Sequence, residues 1–128
     1  MKSILYVDDH EVLARLSCEI LQMQGYRADY AYNAADALNK FENGKYDILV
    51  TDYCMEGMNG LELARQVRQK TPDVPVIIVT GYEHDNLPCE AVSAWLEKQD
   101  MFPALLDQIK LLLGENDPQE SPESLKTA

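Results

Sequence analysis

Five times along this chain a short, β-prone apolar run is followed by a stretch of helical spacing, and this alternation constrains the fold more than any other feature. Ile4-Leu5-Tyr6-Val7 stops at Asp8-Asp9. Val12, Leu13, Leu16, Ile20, Leu21 and Met23 then recur at spacings that predict one apolar helix face, with Gly25 as the stop. Arg27 to Ala31 reads as a weaker strand, and Asn33 as the cap of a helix from about Ala34 to Phe41 that Asn43-Gly44 ends. Tyr46 to Thr51, built on Ile48-Leu49-Val50, predicts a buried strand. The Gly57-Met58-Asn59-Gly60 loop leads into a helix over Leu61 to Gln69, which Thr71-Pro72-Asp73 ends. Val76 to Val79 is the clearest buried strand. After a polar stretch with Pro88 come a fifth strand, Val92 to Glu97, and a last helix opened by Phe102-Pro103, with Leu105, Leu106, Ile109, Leu112 and Leu113 at helical spacing.

Apolar strands that each precede a helix call for a parallel sheet covered on both faces. Right-handed crossovers then give an open, doubly wound α/β sheet of five strands. At 128 residues the chain supports one domain, placed at residues 1–113, with no room expected for a second output module. Residues 114–128 break the pattern: Pro118, Pro122, four acids and one lysine, with Leu125 as the sole anchor candidate, read as a disordered acidic tail. Acidic side chains outnumber basic ones 22 to 11, a balance of −11. This speaks against nucleic acid or an anionic membrane as partner, since both are held by Lys and Arg. The longest apolar runs have four residues, so neither a bilayer span nor a signal-peptide core is expected. Cys18, Cys54 and Cys89 form no CxxC pair and read as reduced thiols of a cytoplasmic protein. His10 and His84 lack metal-ligand spacing.

In an open α/β sheet, ligands bind at the carboxyl ends of the strands, where strand order reverses. The residues placed there are Asp8 and Asp9 after the first run, Asp52 after the third, Thr80 after the fourth and Lys98 after the fifth. In the flavodoxin-like order 2-1-3-4-5 the first and third strands are neighbours, which brings Asp8 and Asp9 close to Asp52. Three carboxylates at that range repel and need a compensating cation. Lys98 supplies one charge, and a hard divalent ion such as Mg²⁺, which prefers oxygen ligands, supplies two. A carboxylate nucleophile, a metal, an ammonium and a hydroxyl are the parts of an aspartyl-phosphate site, where catalysis is mainly positioning and charge neutralisation.

The sequence resembles the receiver domains of two-component response regulators over roughly residues 3 to 113. The likeness is carried by Ile4 through Asp9, Asp47 through Asp52, Met55 through Gly60, Val76 through Gly81, and Trp95-Leu96-Glu97-Lys98. The resemblance implies that Asp52 is the phosphoacceptor, that Asp8 and Asp9 are metal-binding acids, and that the backbone carbonyl of Cys54 is a further Mg²⁺ ligand. It makes Thr80 the switch hydroxyl, Lys98 the phosphoryl-pairing lysine, and Trp95 the occupant of the switch-aromatic place. A histidine kinase or phosphotransfer protein would donate the phosphoryl group, and output would pass by contact to a downstream protein target. The chain is then a self-phosphorylating receiver, not a turnover enzyme. Monomeric and homodimeric active forms both stay open.

Several positions depart from the family pattern. Gln99 and Asp100 follow Lys98 where the family has a cis proline and Phe, so a trans Lys98–Gln99 bond is expected. Glu56 replaces a common Pro. Lys98 comes eighteen positions after Thr80, about four fewer than usual and roughly one helical turn. With Pro88 in that segment, the fourth helix is expected to be short or irregular. Tyr82 could cover the site and slow hydrolysis. Each site residue also has a structural role open to it: Asp8 or Asp9 as helix caps, Asp52 as a loop acid, Lys98 as a solvated charge, Thr80 as a satisfied strand residue, Trp95 as packing. Two other functions compete. One is a phosphate-independent interaction module on a receiver fold. The other is an Asp52-based phosphatase, which Cys54 counts against because a general acid would be needed at its place.

Overall fold

The computed structural model describes residues 2–55, 57–81, 91–98 and 101–114. The elements are β1 Ser3–Val7, α1 Glu11–Met23, β2 Arg27–Ala31, α2 Ala34–Asn43, β3 Ile48–Asp52, α3 Gly60–Lys70, β4 Val76–Thr80, β5 Ala94–Glu97 and α4 Met101–Leu112. The strands form one parallel sheet in the order β2-β1-β3-β4-β5, the flavodoxin-like arrangement expected from the sequence.

The central strands β1, β3 and β4 are buried along their whole length, which is why they read as unbroken apolar runs. One face packs Ile4, Tyr6, Ile48, Val50, Ile77 and Val79 against α1 and α4. The other packs Leu5, Val7, Leu49, Val76 and Ile78 against α2 and α3. The edge strand β2 is only half covered. Two of its carbonyls are met by side chains from different helices: Gln22 Nε2 donates to Ala28 O at 2.9 Å and Lys40 Nζ donates to Tyr30 O. Such capping blunts an open sheet edge.

The first helix differs from the expectation. Its buried residues are Ala14, Ser17, Cys18 and Leu21, whereas Val12, Leu16, Ile20 and Met23 are exposed. The helix lies close on the sheet, so small side chains fill its inner face and the larger apolar groups fall outward. Strand boundaries also shift: β3 runs Ile48–Asp52 and β5 begins at Ala94. Phe102 is extended (φ −113, ψ 132) ahead of a cis Phe102–Pro103 bond, as the residue before proline tends to be, and the regular turns of α4 follow it. The fourth helix expected between β4 and β5, with Tyr82, His84, Pro88 and Cys89, lies outside the described residues. So do Glu56, Gln99, Asp100 and the tail from 115 onward.

Candidate functional site

The ends of the parallel strands converge on one sheet edge. Asp8 and Asp9 follow β1, Asp52 ends β3, Thr80 ends β4, and Lys98 comes directly after β5. Because β1 and β3 are neighbours, with Val7 in register with Thr51, the carboxylates beyond them meet. Oxygens of Asp8, Asp9 and Asp52 lie within 4.8 Å of one another. Lys98 Nζ reaches in from the β5 side, 3.2 Å from Asp8 Oδ2 and 3.3 Å from Asp52 Oδ2.

Asp8 is fully buried, Asp52 nearly so, and Asp9 is exposed. Asp8 Oδ1 accepts the His10 N–H at 2.9 Å. His10 is the cap of α1, its Nδ1 accepting from the Leu13 N–H at 3.3 Å, so neither Asp8 nor Asp9 fills that structural role. Asp8 Oδ2 has its ion pair with Lys98 and no aligned hydrogen-bond donor among the described residues. Burial pushes the Asp52 carboxyl above the usual carboxylate range. Lys98 opposes that shift, Asp8 and Asp9 add to it, and the net direction is up. For Lys98, burial pulls downward, but the Asp52 and Asp8 carboxylates outweigh it and the ammonium is held above its ordinary value.

Three carboxylates face one ammonium, an all-oxygen anionic donor set whose chemistry fits a hard divalent ion. Thr80 is 2% exposed. Trp95 is half-buried against the second core face, its ring centroid 5.8 Å from that of Tyr53 at 49°. The Cys54 thiol is exposed.

Two neighbours of the site escape a reading by sequence alone. Gly60 looks like an ordinary loop glycine, yet a Cβ there would lie 2.3 Å from Asp52 O. The chain therefore returns over the end of β3 only because this residue has no side chain. The signal available was a glycine directly after Asn59, which caps α3 in a reciprocal capping box with Glu62. Tyr53 carried no signal at all, because its contact with Trp95 crosses between strands far apart in sequence.

The response regulator receiver domain family matches residues 4–101. A sensor kinase, CckA of Brucella abortus, is 32% identical over 121 residues, covering 90% of this chain and 13% of that protein. The response regulator MprA of a Mycobacterium species is 29% identical over 125 residues, covering 94% of this chain and 54% of that protein. The chain thus spans only part of these curated relatives. Among solved structures, response regulator TrrA of Thermotoga maritima in complex with Mg²⁺-BeF is similar at a TM-score of 0.81 and 38% identity, covering 88% of this chain and 99% of that one. The same regulator has been solved with the histidine kinase ThkA, and that structure matches at a TM-score of 0.80, 38% identity and the same two coverages, 88% and 99%.

Proposed function

The chain belongs to the response regulator receiver domain family, and we propose that it is a phosphorylation-activated switch taking a phosphoryl group from a histidine kinase or phosphotransfer protein onto Asp52. Receiver domains are signalling switches and not, in general, turnover enzymes. The observation that carries the reading is the Asp8–Asp9–Asp52 cluster with Lys98 paired to two of its members. Charge neutralisation and positioning are what phosphoryl transfer asks of a protein.

In this reading Asp52 attacks phosphorus, the bond from phosphorus to the donor histidine nitrogen breaks, and a carboxyl–phosphoryl bond forms. Lys98 pairs with a phosphoryl oxygen, and the Thr80 hydroxyl donates to another. Asp8, Asp9, Asp52 and the Cys54 carbonyl would hold Mg²⁺, which supplies positive charge for an anionic donor approaching an anionic pocket. Trp95 takes the place of the switch aromatic, and output is a population shift read by a downstream protein target. We assign the domain to residues 1–113, with 114–128 as an appended acidic tail, and the protein to the cytoplasm. No helix among the described residues is long and apolar enough to cross a membrane.

The test is intact mass after incubation with acetyl phosphate, with and without Mg²⁺, beside Asp52→Asn. One Mg²⁺-dependent phosphoryl adduct, absent in the variant, is the expected result. A folded protein that binds Mg²⁺ and takes no adduct would be a phosphate-independent interaction module instead.

A further inference from the structure

Tyr53 follows the Asp52 carboxylate by one residue, and its main chain is tied on both sides. Its N–H donates to Val79 O at 2.9 Å, and its C=O accepts the Gly60 N–H at 2.8 Å. Gly60 is itself pressed against the Asp52 carbonyl, where even a Cβ would collide. The registers Asp52↔Val79 and Thr80↔Glu97 continue into a row of Tyr53, Thr80 and Glu97 across the ends of three strands.

Tyr53 and Trp95 both pack on the second core face, one at the end of β3 and the other on β5. Those strands flank β4 and are two sheet spacings apart, roughly 9.5 Å. The ring centroids are nonetheless 5.8 Å apart, so the rings lean together over β4, whose Ile78 is fully buried and whose Thr80 is 2% exposed. One ring is carried by a backbone hydrogen-bonded on both sides. The other sits on β5, an edge strand that is half-exposed at every residue.

We propose that Tyr53 is a positioning residue of the switch: its ring is the surface against which Trp95 sets, so that a movement of Thr80 at the acceptor site is registered on β5. The inference rests on the reading of Asp52 given above. When the Thr80 hydroxyl turns toward a phosphoryl group, the space along the row changes. Trp95, on β5, is the ring that follows, and Tyr53 defines how far it goes. The aromatic face is what matters, since tilted ring pairs have a preferred geometry that an aliphatic group does not supply. The tyrosine hydroxyl is not required.

Trp95 is the sole tryptophan, so its emission reports on the contact directly. The experiment titrates the full chain with Mg²⁺ and beryllofluoride, following emission in the parent, Tyr53→Phe, Tyr53→Leu and Tyr53→Ala. Intact mass after acetyl phosphate is measured on each, and a thermal melt checks folding. The expected result is an adduct in all four, a full emission change in the parent and Tyr53→Phe, and loss of most of that change in Tyr53→Leu and Tyr53→Ala. Should Tyr53→Ala fail to fold, Tyr53→Leu decides. An adduct accompanied by an undiminished emission change in Tyr53→Leu would overturn this inference alone. Absence of any adduct on the parent would overturn the reading of Asp52 and the inference with it.

Discussion

Asp52 carries its charge where burial opposes it. Desolvation is the largest influence on this carboxyl, and Lys98 does not fully cancel it, so its folded pKa lies above the ordinary value. The folded chain then holds this proton more tightly than the unfolded chain does. The associated stability is present below about pH 4 and is lost as pH rises through the raised folded pKa. Without divalent ions, Asp52→Asn should therefore be more stable than the parent near pH 7, with the gap closing as pH falls toward 4, as read by urea denaturation. A variant less stable than the parent at pH 7 would show that the Lys98 pair outweighs burial. For Lys98 the sign places the effect elsewhere. Its raised pKa contributes stability that is intact below about pH 10.4 and fades as pH rises through the folded value. The convergence of Asp8, Asp9, Asp52 and Lys98 was legible in the sequence because each directly follows an apolar run. Tyr53 and Gly60 were not, because what they do depends on atoms brought near them only by the folded chain.

At the scale of elements, α1 separates composition from packing. Its periodic apolar residues announce a helix, and the helix is there, but apolarity alone does not say which part of a broad stripe meets the sheet. Ala14, Ser17, Cys18 and Leu21 do, and the small size of the first three lets the helix approach closely. Burial raises the Cys18 thiol to about 12, which marks it as an inert packing group. The energetic consequence is an inversion of what side-chain hydrophobicity would suggest. Leu21→Ala should cost about 2–5 kcal/mol, the range for emptying a fully buried leucine site. Leu16→Gln, on a residue 50% exposed, should change stability by no more than about 0.5 kcal/mol. Denaturant melts of the two variants beside the parent measure both. Equal losses would mean that α1 buries its outer row in the folded protein in solution.

For the whole molecule, the order β2-β1-β3-β4-β5 turns residues from positions 8, 9, 52 and 98 into one electrostatic unit. The alternation of runs implied the layers, and the handedness of crossovers limited the order of strands. The stretch between β4 and β5, read from its length and its proline as a short or irregular helix, lies outside the described residues for positions 82–90. If the site holds a divalent ion as proposed, Lys98 and that ion would answer the same need for positive charge and would compete in part. Mg²⁺ that binds only the folded chain stabilises it by mass action, about 2.7 kcal/mol at a hundred times its Kd. Lys98→Ala should be less stable than the parent without Mg²⁺, since the buried Asp8 and Asp52 carboxylates lose their ammonium. The same loss makes the pocket more negative, so Mg²⁺ should bind it more tightly and raise its melting temperature by more than in the parent. Melts over a Mg²⁺ series at constant ionic strength, with Asp9→Asn as the variant that weakens binding, separate the two effects. A smaller increment in Lys98→Ala than in the parent would mean that the lysine supports the ion's site instead of competing for it.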